Sequence, residues 1–88
     1  SKRTPLDLLI RLGSRKAGVV VRHKRDHKKL LQRAVGLSAI SRLANLDSFV
    51  LIDDAPERGL RVDLEDLDVE IIEKSRYRNL LMSLREEE

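Results

Sequence analysis

Residues 18–54 read GVVVRHKRDHKKLLQRAVGLSAISRLANLDSFVLIDD, and this stretch decides the fold. It opens on an apolar run, Gly18-Val19-Val20-Val21, and closes on another, Phe49-Val50-Leu51-Ile52, which ends at Asp53-Asp54. A continuous β-branched run suits a strand covered on both faces. Between the two runs, Leu30, Leu31, Ala34, Val35, Leu37, Ile40, Leu43, Ala44 and Leu46 recur with helical period. Asp26 stands where it can cap that helix. The segment therefore reads as strand, basic helical region, strand.

Gly36 and Ser38 interrupt the helical stripe. One helix that tolerates a glycine, at about 1 kcal/mol relative to alanine, is the simpler expectation. The alternative is two helices joined at Gly36, with Ser38 capping the second. Gly36-Leu37-Ser38-Ala39-Ile40-Ser41-Arg42 resembles the turn and recognition-helix start of a DNA-binding helix-turn-helix, which that alternative would produce.

Working outward, Thr4-Pro5-Leu6-Asp7 has the form of a helix start, with Thr4 capping and Pro5 in the first turn. Leu6, Leu8, Leu9, Ile10 and Leu12 supply a broad apolar face, and Gly13 is a natural stop, so a short helix is expected over 5–12. Residues 14–18 read as a basic connector. On the other side, Asn45, Asp47 and Ser48 form a polar break, and residues 53–59 a loop punctuated by Pro56 and Gly59. Leu60, Val62 and Leu64 alternate with Arg61, Asp63 and Glu65, which favours a strand over 60–66 paired with a strand over 68–73. A helical crossover over 60–66, leaving only 68–73 as strand, competes with it. Ser75 caps a last helix with Tyr77, Leu80, Leu81 and Leu84 on its apolar face, and residues 85–88 are a solvated tail.

The expected fold is a small α/β or α+β domain spanning 1–88, frayed at 1–4 and 85–88. It has a three- to four-stranded sheet with about three packed helices, in the order α-β-α-β-β-β-α or α-β-α-β-β-α. With 88 residues the core is small, and with Phe49 and Tyr77 as its only aromatics it must be built from Leu, Ile and Val. There is no cysteine, no apolar run of the roughly 20 residues that span a bilayer, and no signal-peptide pattern at the N-terminus. A cytoplasmic, intracellular location is the expectation.

Charge is distributed unevenly. Residues 1–44 hold 12 Lys/Arg against 2 acids, whereas residues 45–88 hold 6 against 13, which together give the net +3. The densest positive segment carries Arg22, Lys24, Arg25, Lys28, Lys29 and Arg33, with Arg15 and Lys16 upstream. Clustered cations attract phosphate, so these eight are the candidate nucleic-acid-binding residues. Scarce aromatics exclude a base-stacking platform and leave backbone contacts. The plain alternative is a solvated face paired with the acids of the second half.

Other constellations are weaker. His23 and His27 are four apart with Asp26 beside them, yet the surrounding cations would repel a metal, and surface histidines are the expectation. Asp53-Asp54 at a strand end can hold Mg²⁺, with Glu70 and Glu73-Lys74 as further candidates, but fits an acidic turn better. Neither a metal nor a cofactor is expected. Leu46-Asp47-Ser48-Phe49-Val50-Leu51 resembles the strand motif of Sm-like RNA-binding barrels. Arg15-Lys16-Ala17-Gly18 with Ile52-Asp53-Asp54-Ala55-Pro56 is similar to kink-turn-binding ribosomal proteins. Neither spans the chain, so no residue role is carried over. The functional expectation is a non-enzymatic nucleic-acid-binding domain, RNA favoured over sequence-specific DNA. A protein–protein or homodimer module using the charge-asymmetric halves is the alternative, and a Mg²⁺-dependent nuclease-like enzyme using Asp53 and Asp54 stands third.

Overall fold

The computed structural model describes residues 6–77 and 82. Strands β1 (Leu8–Leu12) and β2 (Arg15–Val21) form a hairpin, followed by helix α1 (His27–Ala44), strand β3 (Asp47–Ile52), helix α2 (Arg58–Asp66), strand β4 (Glu70–Glu73) and a 3₁₀ turn, Lys74–Arg76. The four strands make one mixed sheet in the order β1-β2-β3-β4, with β1 antiparallel to β2 and the other two pairings parallel. This is a small α+β arrangement with two α-helices among the described residues.

The sheet runs two parallel crossovers in one direction, β2-α1-β3 and β3-α2-β4. Right-handed connections place both helices on the same face. That face holds the larger core: Leu30, Ala34 and Leu37 of α1 and Leu60 and Leu64 of α2 pack on Val20, Val50, Ile52 and Val69. The opposite face buries Ala17, Val19, Phe49 and Leu51, with Ile10, Val21, Ile72 and Tyr77 against them. Alternate residues of β2 and β3 thus enter different cores, and both runs are continuously apolar for that reason.

Helix α1 is a single helix. Asp26 caps it, its Oδ1 accepting from the Lys29 amide at 3.1 Å. Asn45, in the left-handed region at φ 57°, ends it, and the Leu46 amide returns to the Ser41 carbonyl at 2.9 Å. Gly36 lies in its interior, and the segment that resembles a helix-turn-helix is the continuous middle of α1. The buried stripe Leu30, Ala34, Leu37 and Ser38 outweighs one glycine.

The structure corrects two expected elements. Residues 8–12 are a strand, not part of a helix. A helix of eight residues is marginal in water, whereas pairing with β2 satisfies the backbone and sets Ile10 beside Ala17. Gly13 does adopt φ 63°, but as the first central residue of a two-residue hairpin turn rather than a helix stop. The supposed connector 14–18 lies largely inside β2. The preceding Thr4 and Pro5 lie outside the described residues.

The second correction is α2, which occupies the residues expected as a strand over 60–66. Leu60 and Leu64 are fully buried while Val62 is 49% exposed, so the working period is four rather than two. Parallel strands β3 and β4 also require a crossover between them. Asp68, at φ 60°, closes α2: its amide bonds the Glu65 carbonyl at 3.0 Å, and the Val69 amide bonds that of Leu64 at 3.1 Å. Val69 and Leu64 share the core, the apolar contact that accompanies this type of helix end. Residues 8–12 thus lose the expected first helix while α2 adds one where a strand was expected, and the two α-helices among the described residues are α1 and α2. Leu80, Leu81 and Leu84 of the expected last helix, and the tail 85–88, lie outside those residues. No helix among them is long and apolar enough to cross a membrane.

Candidate functional site

Three connections converge where the parallel strands end: residues 22–26 after β2, 53–57 after β3 and the turn Lys74–Arg76 after β4. In open sheets with parallel strands, ligands bind beyond the carboxyl ends of the strands. Here that end is a lattice of charge. Arg22 donates from both terminal nitrogens to Glu57, at 2.9 and 3.1 Å, and from Nε to the Lys24 carbonyl at 3.1 Å. Arg25 reaches the same Glu57 at 3.2 Å and Asp54 at 3.5 Å. Asp53 faces Lys74 at 3.3 Å.

Glu57 holds the N-cap position of α2 but makes no cap hydrogen bond there, since its side chain reaches across to Arg22 instead. The Arg22 hydrogen bond, helped by Glu57's own backbone amide, lowers the Glu57 carboxyl from 4.5 to about 2. The hydrogen bond to Glu57 raises Arg22 in turn, against the opposing effect of burial. A carboxyl whose folded pKa lies below its unfolded value favours the folded state above about pH 4.5 and loses that contribution as the pH falls toward about 2. Glu57→Gln is therefore expected to be less stable than the wild type at neutral pH, with the difference disappearing between about pH 4.5 and 2. Acid titration followed by circular dichroism checks this, and added salt should shrink the effect because Glu57 is exposed.

On the neighbouring flank, Asp7 accepts from the Val21 amide at 2.7 Å and pairs with Arg33, whose other terminal nitrogen donates to the Val21 carbonyl at 2.9 Å. These groups bound an open groove of about 830 Å³, lined by Leu6, Asp7, Arg22, His23, Lys24, Asp26, Lys29, Leu30, Gln32 and Arg33. Lys24, Lys28 and Lys29 are exposed and have no carboxylate partner among the described residues.

Six of the eight candidate cations thus gather at this end: Arg22, Lys24, Arg25, Lys28, Lys29 and Arg33. Arg15 and Lys16 do not, because they begin β2 while Arg22 follows its end, about 20 Å away at the usual rise per residue. Arg15 instead pairs with Asp47 at the start of β3. That opposite end carries a second open concavity of about 680 Å³ with mixed charge, including Arg42, Glu65, Asp68 and Glu70.

His27 contacts Asp63 at 2.9 Å and ties α1 to α2, whereas His23 is exposed on the loop. Among the described residues, no three His, Asp or Glu side chains are placed to share a metal ion. Asp53 and Asp54 lie in the loop after β3 and face cations, as an acidic turn does. Sequence reasoning missed Asp7 and Glu57. Both act through partners far along the chain, and Glu57 lies just before a segment read as strand, where no cap would be sought. No family model matches the chain, and no curated protein or solved structure is significantly similar to it.

Proposed function

We propose that the protein is a non-enzymatic nucleic-acid-binding module that contacts backbone phosphates through the carboxyl end of its sheet, with RNA favoured over sequence-specific DNA. One observation carries this reading. Lys24 and Lys29 line a groove with Arg22 and Arg33, Lys28 adjoins Lys29 in the first turn of α1, and all three are exposed and without carboxylate partners among the described residues. Arg22 and Arg33 are held by carboxylates, whereas these lysines face solvent. Compact, hydrated ammonium groups on flexible stems suit phosphate contact without base readout. The segment resembling a recognition helix has Leu37, Ser38 and Ser41 buried, so it does not offer a reading head for a major groove.

The test is a titration of short RNA and DNA duplexes over a salt series, comparing wild type with Lys24→Ala/Lys28→Ala/Lys29→Ala. Wild-type log affinity should fall linearly with log salt. The triple variant should bind more weakly, with the slope on a DNA duplex reduced by about 0.9 for each phosphate that is no longer neutralised. No salt-sensitive binding of wild type to either duplex would sink the proposal.

A second reading, self-association, is favoured by β1. It is an edge strand whose Leu8 and Leu9 are 41% and 59% exposed. The complementary charge of the two halves, in contrast, is already engaged within the molecule through Arg15–Asp47, Arg22–Glu57 and Arg25–Asp54. Light scattering on the titrated sample separates the two readings.

A further inference from the structure

We infer that Arg22 and Arg25 form a phosphate site that the Glu57 carboxylate fills in the free protein, and that a backbone phosphate of the bound nucleic acid displaces it. The inference rests on the nucleic-acid reading above. A guanidinium fork recognises carboxylate and phosphate oxygens with the same paired geometry. Arg22 presents that fork in full, with both terminal nitrogens on the two Glu57 oxygens, and Arg25 adds a third hydrogen bond.

The layering supports exchange. The Arg22 side chain is 8% exposed and Glu57 covers it at 43%, so the carboxylate is the outer group. Arg22 is also held through Nε on the Lys24 carbonyl, a bond that does not involve Glu57 and so keeps the fork in place when its partner leaves. Glu57 makes no cap bond to α2, so swinging outward removes no cap from that helix. Exposed ion pairs contribute little, and a ligand phosphate arriving with Lys24 beside it can compete. Intramolecular occupancy then acts as a threshold: a lone anion has to compete with Glu57, whereas a polyanion held at several points does so more readily.

The test compares RNA-duplex affinity at fixed physiological salt for wild type, Glu57→Gln, Asp53→Asn and Glu57→Gln/Arg22→Lys, each checked for native circular dichroism. Asp53→Asn makes the same change in charge at the same end of the sheet, but its partner is Lys74. Glu57→Gln should bind about fivefold more tightly, the upper range for a well-formed exposed pair. Asp53→Asn should gain less than about twofold, since Asp53 pairs with Lys74 and occupies neither arginine, leaving only a solvent-screened charge effect. Adding Arg22→Lys should abolish the Glu57→Gln gain. Equal gains for Glu57→Gln and Asp53→Asn, or none for Glu57→Gln while wild type still binds, would overturn the displaced-carboxylate site alone. Absence of binding by every variant would overturn the nucleic-acid reading with it. Binding by Glu57→Gln but not wild type would support both.

Discussion

Leu37→Ala is expected to cost about 2–5 kcal/mol of folding stability, the range for a leucine removed from a packed interior. Leu37 is fully buried. It lies in the middle of α1 and packs over β2, so it joins the longest helix to the sheet. The core on this face is small, and no aromatic side chain belongs to its buried cluster to fill a void by relaxation. Small domains carry about 5–15 kcal/mol in total, and at this length the lower part of that range applies. The variant should retain at most a shallow folded baseline. Urea denaturation measures it: the midpoint should fall with the m-value unchanged. A loss below about 1 kcal/mol would mean that α1 does not pack on the sheet through this residue.

Gly18→Ala is the second large effect, and its sign depends on Leu37. A Cβ at Gly18 would lie 2.8 Å from Leu37 Cδ1, 3.4 Å from Leu6 Cδ2 and 3.5 Å from Leu46 Cδ1. Two terms compete. Alanine in a strand interior gains about 0.5–1 kcal/mol over glycine through lower unfolded-state entropy. Overpacking a filled core costs about 1–3 kcal/mol. Leu37 is enclosed and has nowhere to retreat, so the clash wins and Gly18→Ala should destabilise. In the Leu37→Ala background the obstructing methyl is gone, and the same substitution should become stabilising. The double-mutant cycle therefore predicts a coupling energy with a change of sign, which purely local effects of either substitution cannot produce. Additive losses would show that β2 and α1 do not approach each other here.

Both predictions concern an element whose existence is plain in the sequence but whose packing partners are not. Asp26 before a long apolar stripe marks the start of α1, and 18 residues of period 3.6 outweigh Gly36. Phe49 to Ile52 and Val19 to Val21 read as buried strands because β-branched and aromatic residues follow one another without polar relief. Strand β4 is legible for a different reason, since Val69 and Ile71 alternate with Asp68 and Glu70. Leu8 to Leu12 is different. Five apolar or long side chains in a row, bounded by a glycine with positive φ, satisfy a short helix and a hairpin strand alike. Gly13 meets the backbone demand of either ending, so nothing local separates them. Leu60, Val62 and Leu64 likewise alternate at period two, while Leu60 and Leu64 alone satisfy a helix.

For the candidate site, the basic character of residues 22–33 was legible and its neutralisation was not. Arg22 and Arg25 look like free phosphate ligands until Glu57, 35 and 32 residues further along the chain, is brought onto them. Arg15 and Lys16 look contiguous with the cluster until β2 extends and carries them to the other end of the sheet.

By itself, the sequence determined that this chain builds parallel-capable apolar strands around one long capped helix, with a strongly basic first half and an acidic second. Those features are local, since period, β-branching, capping and charge act over a few residues. Only the tertiary structure decided that residues 8–12 extend against β2, that residues 58–66 coil into a crossover, and which cations remain available to a ligand. Each of those outcomes depends on a partner distant in sequence: a strand edge to pair with, a sheet face to cover, or a carboxylate delivered by another loop. Chain proximity cannot specify such partners. Burying both faces of β2 and β3 can, because it sets the topology that brings them together.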